Sequence, residues 1–257
     1  MKETRFFYVP NAGTSDTLPD EEAQHAVRVL RLSVGDEVWL MDGCGTFYRA
    51  EITLASNHKC MYRIVEALPQ QKTWRGHLCV AIAPTKNMDR IEWFVEKATE
   101  IGVDEIVFLN CRFSERKEIK LPRVEKICVS AVKQSRKPWM PILRGMVDFK
   151  TFINEKSDAD IFIAHCYDEY EKASFFTSIP ADGNVCVMIG PEGDFSMDEV
   201  QYALDNGATS VSLGQSRLRT ETAGIVAAEM MQLAINDRPW SFNRKTEKPE
   251  NRKTEKP

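Results

Sequence analysis

The stretch of sequence that decides the fold is VCVMIGPEGDFSMDEVQYALDNGATSVSL, residues 185–213. It opens with the apolar run Val185 to Ile189, a pattern that is typical of a strand buried on both faces of a sheet. Ser196 and Glu199 then have the spacing of a capping box at the start of a helix, and Gly207 is placed to end that helix. A second short apolar strand closes the stretch, so the order strand, helix, strand predicts an α/β fold with a mainly parallel sheet.

The same alternation of strands and helices extends beyond this stretch in both directions. Further apolar strands are predicted at His77 to Ala83, Glu105 to Leu109, Asp160 to Ala164 and Ser210 to Leu213. Helices are predicted from the apolar face of Ile91, Phe94, Val95, Ala98 and Ile101 with its stop at Gly102, from Pro122 to Arg136, and from Thr222 to Ile235.

The N-terminal part has a different rhythm, in which apolar and polar residues alternate around turn signals. Strands are predicted at Arg5 to Val9, Asp36 to Met41, Thr46 to Leu54 and Lys59 to Leu68, and a helix at Asp20 to Arg31. The segment Asp42-Gly43-Cys44-Gly45 indicates a hairpin. We therefore expect a β-rich unit at residues 1–70, an α/β unit at 74–240, and a disordered basic tail at 243–257, where Asn-Arg-Lys-Thr-Glu-Lys-Pro occurs twice.

Composition and missing motifs exclude several classes of protein. No run of about 18 apolar residues could span a membrane, and the polar N-terminus lacks a signal-peptide core, so a cytoplasmic location is expected. Seven scattered cysteines lack zinc-ligand spacing, which predicts buried, reduced thiols and no metal. The absence of G-x-G-x-x-G, G-x-x-x-x-G-K-[ST], G-x-S-x-G and H-E-x-x-H argues against dinucleotide-binding, P-loop, serine-hydrolase and zinc-protease functions.

One segment is strongly basic although the chain as a whole carries a net charge of -4. Between Arg112 and Arg144 ten Lys or Arg residues stand against three Glu residues. Such a block is typical of a surface that faces nucleic-acid phosphates. On charge alone, a solvated helix face is the more common origin of such a block.

Three loops follow strands of the α/β unit, where open α/β sheets bind their ligands; they are residues 83–90, 189–195 and 213–223. In the second loop, Gly190-Pro191-Glu192-Gly193 presents backbone amides that suit a polar ligand, although these residues also suit a simple turn. The third loop places Arg217, Arg219 and Glu221 between a buried strand and an apolar helix. Charges so placed are costly unless they are paired or used, so this loop is a candidate site, and a structural Arg–Glu pair is the alternative.

Four segments between residues 5 and 236 carry a resemblance to a known family. They are His25-Ala-Val-Arg-Val-Leu-Arg-Leu with Gly35-Asp36, Glu96-Lys-Ala-Thr-Glu-Ile-Gly102, Ile189-Gly-Pro-Glu-Gly193 and Leu218-Arg-Thr-Glu-Thr-Ala223. In residues, order and spacing they resemble the ribosomal RNA small subunit methyltransferase E family of the SPOUT superfamily. The resemblance implies a PUA-like β-barrel followed by a SPOUT domain with a deep C-terminal trefoil knot. It also implies a homodimer that uses S-adenosylmethionine to methylate N3 of a uridine in 16S ribosomal RNA.

Carried over by position, the resemblance also implies the site residues. The cofactor should contact His165, Ile189, Gly190, Glu192, Gly193, Leu213, Gly214, Leu218, Arg219 and Thr220. We expect Arg219 to stabilise the anionic base during methyl transfer. We expect Glu221 either to orient Arg219 or to accept the proton of the base. Candidate contacts to the RNA backbone are Arg28, Arg31, Arg112, Arg116, Lys133 and Arg136.

Two residues depart from the family pattern. Lys133 stands where the family usually has Glu, which favours an RNA-facing role for its helix, and Asp194 replaces a usual second glycine, which should narrow the freedom of its loop. Two other functions stay open, namely a SPOUT methyltransferase that acts on another RNA such as tRNA, and an RNA-binding assembly factor without catalysis. The β-rich unit before the α/β unit and the segment Leu218 to Ala223 favour the ribosomal target, while the glycine loops and Arg219 argue against a silent binder.

Overall fold

The computed structural model describes residues 5–56, 59–155, 159–180 and 183–236 of the 257-residue chain. The tail predicted to be disordered, residues 243–257, lies outside them. Within the described ranges the chain forms two sheets, one of four strands and one of seven.

The four-stranded sheet is built from the N-terminal part of the chain. Its strands are β1 (Phe6–Tyr8), β2 (Glu37–Met41), β3 (Thr46–Ala55) and β4 (Cys60–Pro69). Strands β2, β3 and β4 pair antiparallel in that order, which confirms the predicted hairpin, while β1 lies parallel to β2. The predicted first helix is split into α1 (Asp20–Gln24) and a π-helical turn (His25–Val29), and Ala23 and Ala26 pack into the core of this sheet.

The seven-stranded sheet occupies the rest of the chain. Its strands are β5 (Leu78–Ile82), β6 (Glu105–Asn110), β7 (Ile142–Asp148), β8 (Asp160–Ala164), β9 (Ala173–Ser174), β10 (Val185–Ile189) and β11 (Thr209–Ser212). The order across the sheet is β7-β6-β5-β10-β8-β11-β9, and every neighbouring pair is parallel. The predicted parallel sheet is confirmed, and β10 lies between β5 and β8.

Helices cover both faces of this parallel sheet. They are α2 (Met88–Ile101), α3 (Leu121–Ser135), α4 (Phe149–Glu155), α5 (Phe175–Ser178), α6 (Met197–Asp205) and α7 (Thr220–Asn236). One core cluster joins α2, α3, α5 and α7 to the sheet, and a second cluster joins α4 and α6 to the opposite face. The predicted capping box of α6 is present, because Ser196 Oγ accepts from the Glu199 N–H while the Glu199 carboxylate accepts from the Ser196 N–H.

The two sheets are docked through α3 and the segment that follows it. Gly45 N–H donates to the Pro138 carbonyl and Met140 N–H to the Gly43 carbonyl, both over 2.9 Å, so the β2–β3 hairpin forms a short backbone bridge with this segment. A Cβ on Gly45 would lie 2.3 Å from the Trp139 ring, which explains the need for glycine at this contact.

The cysteines correct one expectation from the sequence. Five of the seven are buried, but Cys44 and Cys166 are exposed. Burial raises the pKa of the Cys111 and Cys128 thiols, which keeps them protonated and unreactive at neutral pH. Over the described ranges no group of three or more His, Cys, Asp or Glu side chains is arranged to hold a metal ion, and none of the helices has the length and apolar character of a bilayer span.

Candidate cofactor pocket and RNA-facing surface

A cavity of about 480 Å³ opens at the carboxyl ends of β8, β10 and β11, three adjacent strands of the parallel sheet. Its walls are the loops that leave these strands, together with the start of α7 and Arg90 of α2. The carboxyl edge is where open α/β sheets bind their ligands, and the volume is that of a small-molecule site.

Nine of the ten residues predicted to bind the cofactor line this cavity. They are His165, Ile189, Gly190, Glu192, Leu213, Gly214, Leu218, Arg219 and Thr220. The tenth, Gly193, does not line it and instead lies against Phe113, where an added Cβ would meet the Phe113 Cβ at 3.5 Å. The structure therefore brings the three predicted loop segments together around one space.

The loop after β10 is folded tightly and needs glycine at its first position. Gly190 is buried, and a Cβ there would lie 3.0 Å from the backbone nitrogen of Phe195. Glu192 is exposed at the cavity, and its Oε2 accepts the backbone N–H of Lys86 at 3.1 Å. This carboxylate therefore ties the loop after β10 to the loop after β5.

His165 is held as a neutral ring in the cavity wall. It is only 7% exposed, and its Nδ1 accepts from the backbone N–H of Tyr167 at 3.3 Å. Its Nε2 then carries the proton and donates to the Ser210 hydroxyl at 2.9 Å. Burial lowers the pKa of His165, so the uncharged form is stable at neutral pH.

The two predicted catalytic residues occupy different depths at the start of α7. Arg219 is exposed in the cavity lining, and in the described part of the chain its guanidinium has neither a hydrogen bond nor an ion pair. Glu221 does not line the cavity and is 5% exposed. Its Oε1 lies 3.7 Å from Nε of Arg90, and its Oε2 is buried without a hydrogen-bond partner among the described residues. Arg90 therefore separates Glu221 from the cavity.

The predicted cofactor contacts did not include Arg90, Cys166 and Asp194, which also line the cavity, although Arg90 and Asp194 belong to two of the three candidate loops. Arg90 is the last residue of the candidate loop at residues 83–90 and lies in the first turn of α2, so its position in that loop was the available signal. Cys166 and Asp194 stand next to predicted residues, but nothing in their spacing shows that they meet.

The predicted RNA contacts divide into two groups. Arg28, Arg31, Arg112 and Arg136 have exposed side chains at the surface that surrounds α3 and the π-helical turn. Arg136 also lies over the Phe6 ring, with Cζ 5.5 Å from the ring centroid. Four of the six predicted contacts are thus placed where phosphates could reach them.

The remaining two predicted contacts have internal partners in the structure. Arg116 donates from Nε to the Thr85 carbonyl at 3.1 Å and from a terminal nitrogen to the Lys86 carbonyl, which fastens the loop after β5. Lys133 Nζ lies 2.7 Å from Glu22 Oε1, and its side chain is 21% exposed. Both cations therefore contribute to the fold, and their contact with RNA stays a prediction.

Comparisons with known proteins agree with this geometry. The RNA methyltransferase domain family matches residues 72–232, and the RNA methyltransferase PUA domain family matches residues 18–61. Ribosomal RNA small subunit methyltransferase E of Rickettsia conorii is 26% identical over 215 residues, which cover 83% of this chain and 87% of that protein.

Two solved structures share the whole architecture. A probable rRNA-methyltransferase from Porphyromonas gingivalis is 43% identical with a TM-score of 0.81, over 90% of this chain and 98% of that one. Ribosomal RNA small subunit methyltransferase E from Neisseria gonorrhoeae, bound to S-adenosyl methionine, is 26% identical with a TM-score of 0.76, over 90% of this chain and 97% of that one. Because the RNA methyltransferase domain family spans more than half of the sequence, the chain belongs to that family, together with the relatives named ribosomal RNA small subunit methyltransferase E that match most of its length.

Proposed function

We propose that this protein transfers a methyl group from S-adenosylmethionine to N3 of a uridine in 16S ribosomal RNA. The observation that carries the proposal is the cavity at the carboxyl ends of β8, β10 and β11, with the Arg219 guanidinium, unpaired among the described residues, in its lining. Membership of the family supports both the methyl donor and the ribosomal substrate.

The residues of the cavity fit S-adenosylmethionine in volume and in chemistry. The tight turn at Gly190 and the open turn at Gly214, whose φ is +124°, let the donor approach the backbone closely. His165 is neutral and adds no positive charge beside a sulfonium. When bound, the cofactor supplies an electrophilic methyl group, so the protein's task is to place the attacking base in line with it.

The attacking nitrogen of uracil carries a proton, and its reactive form is the anion. The Arg219 guanidinium is free to stabilise the charge that spreads onto the two uracil carbonyl oxygens. Glu221 has a buried oxygen without a partner and reaches the cavity through Arg90, so it either orients Arg90 and Arg219 or accepts the proton. No other carboxylate of the described residues combines such burial with an unpartnered oxygen next to the cavity lining.

RNA binding is assigned to the N-terminal unit at residues 1–70 together with the basic face of the unit at 74–240. The exposed side chains of Arg28, Arg31, Arg112 and Arg136 support this assignment. Each phosphate contact releases counterions, so replacing one of them by Ala should weaken RNA binding and flatten its salt dependence. The target base lies inside folded RNA and has to be exposed for the reaction.

The assembly and the location of the protein are part of the same proposal. The homodimer implied by the resemblance is supported by Phe113, which is 47% exposed beside Gly193 and offers an apolar surface that a second copy could cover. A ribosomal RNA substrate supports a cytoplasmic location. The trefoil knot stays a prediction.

The decisive test is mass spectrometry of 16S and transfer RNA from a strain that lacks the gene. We expect N3-methyluridine to be lost from one position of 16S RNA and restored by the wild-type chain but not by Arg219→Ala. Loss of a transfer RNA methylation instead would identify the other methyltransferase function. Unchanged RNA in the deletion strain, together with no calorimetric binding of S-adenosylmethionine, would identify a binding protein without catalysis.

A further inference from the structure

Asp194 has an unusual backbone conformation in the wall of the cavity. Its φ is +65°, one of three positive values among the described residues other than glycine, and its N–H donates to the Pro191 carbonyl at 2.9 Å. The left-handed region costs an ordinary side chain free energy, but Asp and Asn tolerate it well because their short side chains bond to the nearby backbone. The position therefore selects for Gly, Asn or Asp.

The Asp194 carboxylate uses this conformation to bridge two loops. Oδ1 accepts the N–H of Phe195 at 2.8 Å, and Oδ2 accepts the N–H of Cys166 at 2.8 Å. Cys166 belongs to the loop after β8, and both Cys166 and Asp194 line the cavity. A single side chain therefore fixes the distance between two walls of the pocket.

The bridge has a counterpart on the other side of the same loop. Strand β10 lies between β5 and β8, and Glu192 in its loop accepts the N–H of Lys86 from the loop after β5. The loop after β10 is thus braced toward one neighbour by Glu192 and toward the other by Asp194. A glycine at position 194 would permit the turn but would remove the hydrogen bond that connects this loop to Cys166.

We propose that Asp194 is a positioning residue for the methyl donor, which holds the loops after β8 and β10 at the separation that the donor requires. The inference rests on the proposed function, because it assumes that S-adenosylmethionine occupies this cavity. Asp is then required at this position for the two acceptor oxygens of its carboxylate, and not only for its tolerance of positive φ.

Two substitutions separate the carboxylate from the turn. Asp194→Asn keeps a residue that tolerates positive φ but leaves one acceptor oxygen for two N–H donors. Asp194→Gly keeps the turn and removes both acceptors. Asp42→Asn is the matched control, since Asp42 Oδ1 accepts the N–H groups of Cys44 and Thr46 in a hairpin loop of the other sheet.

Calorimetry with S-adenosylmethionine at 25 °C gives the first readout. We expect both Asp194 variants to raise its Kd about tenfold, equal to about 1.4 kcal/mol, and Asp42→Asn to leave it within about twofold. Wild-type binding with unchanged Kd in both Asp194 variants would overturn the inference alone. Absence of binding by the wild type would overturn the proposed function and the inference with it.

Thiol labelling of Cys166 gives a second readout that needs no cofactor and that a general loss of stability would not produce. Desolvation raises the pKa of Cys166 most, Asp194 raises it further, and Arg217 and Lys172 oppose this. In a Cys44→Ser background, which removes the other exposed thiol, both Asp194 variants should therefore shift the labelling profile to lower pH. A profile that coincides with the wild type would show that the carboxylate does not hold Cys166.

Discussion

Arg219 is the residue whose chemistry most directly decides the reaction. It lines the cavity and has no partner in the part of the chain that the structure describes, while the neighbouring cation Arg90 lies against Glu221. An unpaired guanidinium at a reacting group stabilises charge in the transition state more than it stabilises the bound cofactor.

Replacing Arg219 by Ala should therefore lower kcat by about a hundredfold or more, the size that loss of one stabilising donor has in other enzymes. The Kd for S-adenosylmethionine should change by less than about threefold. Single-turnover methylation of 16S RNA and calorimetry measure the two quantities. Arg217→Ala is the matched control, because Arg217 also lines the cavity. Near-normal turnover of the Arg219 variant would remove Arg219 from the mechanism.

His165 makes a prediction about pH at the same scale. Burial lowers the pKa of His165 in the folded chain. Just below pH 6.5 this side chain is therefore protonated more in the unfolded chain than in the folded chain. Its contribution to stability is then present above about pH 6.5 and is lost as the pH falls through that value toward the lowered pKa. Urea unfolding from pH 5 to pH 8 should show a steeper acid loss for the wild type than for His165→Gln. Parallel curves would contradict it.

Single residues show where sequence reasoning succeeds and where it ends. The cofactor loops could be predicted because glycine and capping residues act locally, and nine of their ten predicted residues line one cavity. Arg116 and Lys133 were predicted to contact RNA, and the structure places each against a partner that is distant in sequence, the loop after β5 for one and Glu22 for the other. Counting Lys and Arg residues along a segment does not show which of them pair with residues far away in the sequence.

At the scale of elements, the strands with the strongest pattern were predicted most closely. The bounds of β8 and β10 agree with the sequence at both ends, since β10 is buried throughout and β8 has a buried apolar centre. Strand β7 was missed because Ile142–Asp148 contains Arg144 and Gly145 and lies at the edge of the sheet, with only one neighbour. An edge strand has little need for apolar residues on both faces.

The packing of α7 on the sheet gives a prediction for one glycine. A Cβ on Gly224 would lie 2.6 Å from Cε2 of Phe94 in α2 and 3.0 Å from Cδ1 of Ile82 in β5. Gly224→Ala should therefore destabilise the protein by about 1–3 kcal/mol through overpacking, although Ala favours a helix by about 1 kcal/mol. Urea unfolding measures the change in the free energy of unfolding. The control is Glu229→Ala, because Glu229 is exposed on the same helix and its replacement should change stability by less than about 0.5 kcal/mol. A more stable Gly224 variant would contradict this close packing.

At the scale of the whole molecule, the position of β10 could not be predicted from its sequence. Chain order would place β10 beside β9, yet it pairs with β5 and β8, which precede it by whole helices. All three strands are apolar and equally suited to the centre of a sheet, so their order is decided by long-range packing. The position of β10 places its loop between the loops after β5 and β8. Glu192 then connects this loop to the loop after β5, and Asp194 connects it to the loop after β8.

Besides the hairpin bridge at Gly43 and Gly45, the two sheets are joined by two ion pairs that differ in burial. Lys133 pairs with Glu22 at side-chain exposures of 21% and 9%, whereas Lys126 pairs with Glu21 at 66% and 77%. All four residues lie on α3 and α1, so the second pair is a built-in control for the first. Breaking a buried pair leaves a charge without a partner, while an exposed charge is solvated again.

Lys133→Ala should therefore lower the free energy of unfolding by about 3–5 kcal/mol and Lys126→Ala by less than about 1 kcal/mol. Since Lys133 holds the N-terminal sheet rather than a phosphate, its loss should weaken RNA binding without changing the salt slope, and should leave the Kd for S-adenosylmethionine unchanged. Exchanging the charges in Glu22→Lys with Lys133→Glu should restore part of the loss. A reduced salt dependence of RNA binding for Lys133→Ala would instead mean that this lysine contacts RNA. Equal losses of stability for Lys133→Ala and Lys126→Ala would mean that the hairpin bridge at Gly43 and Gly45 alone holds the sheets together.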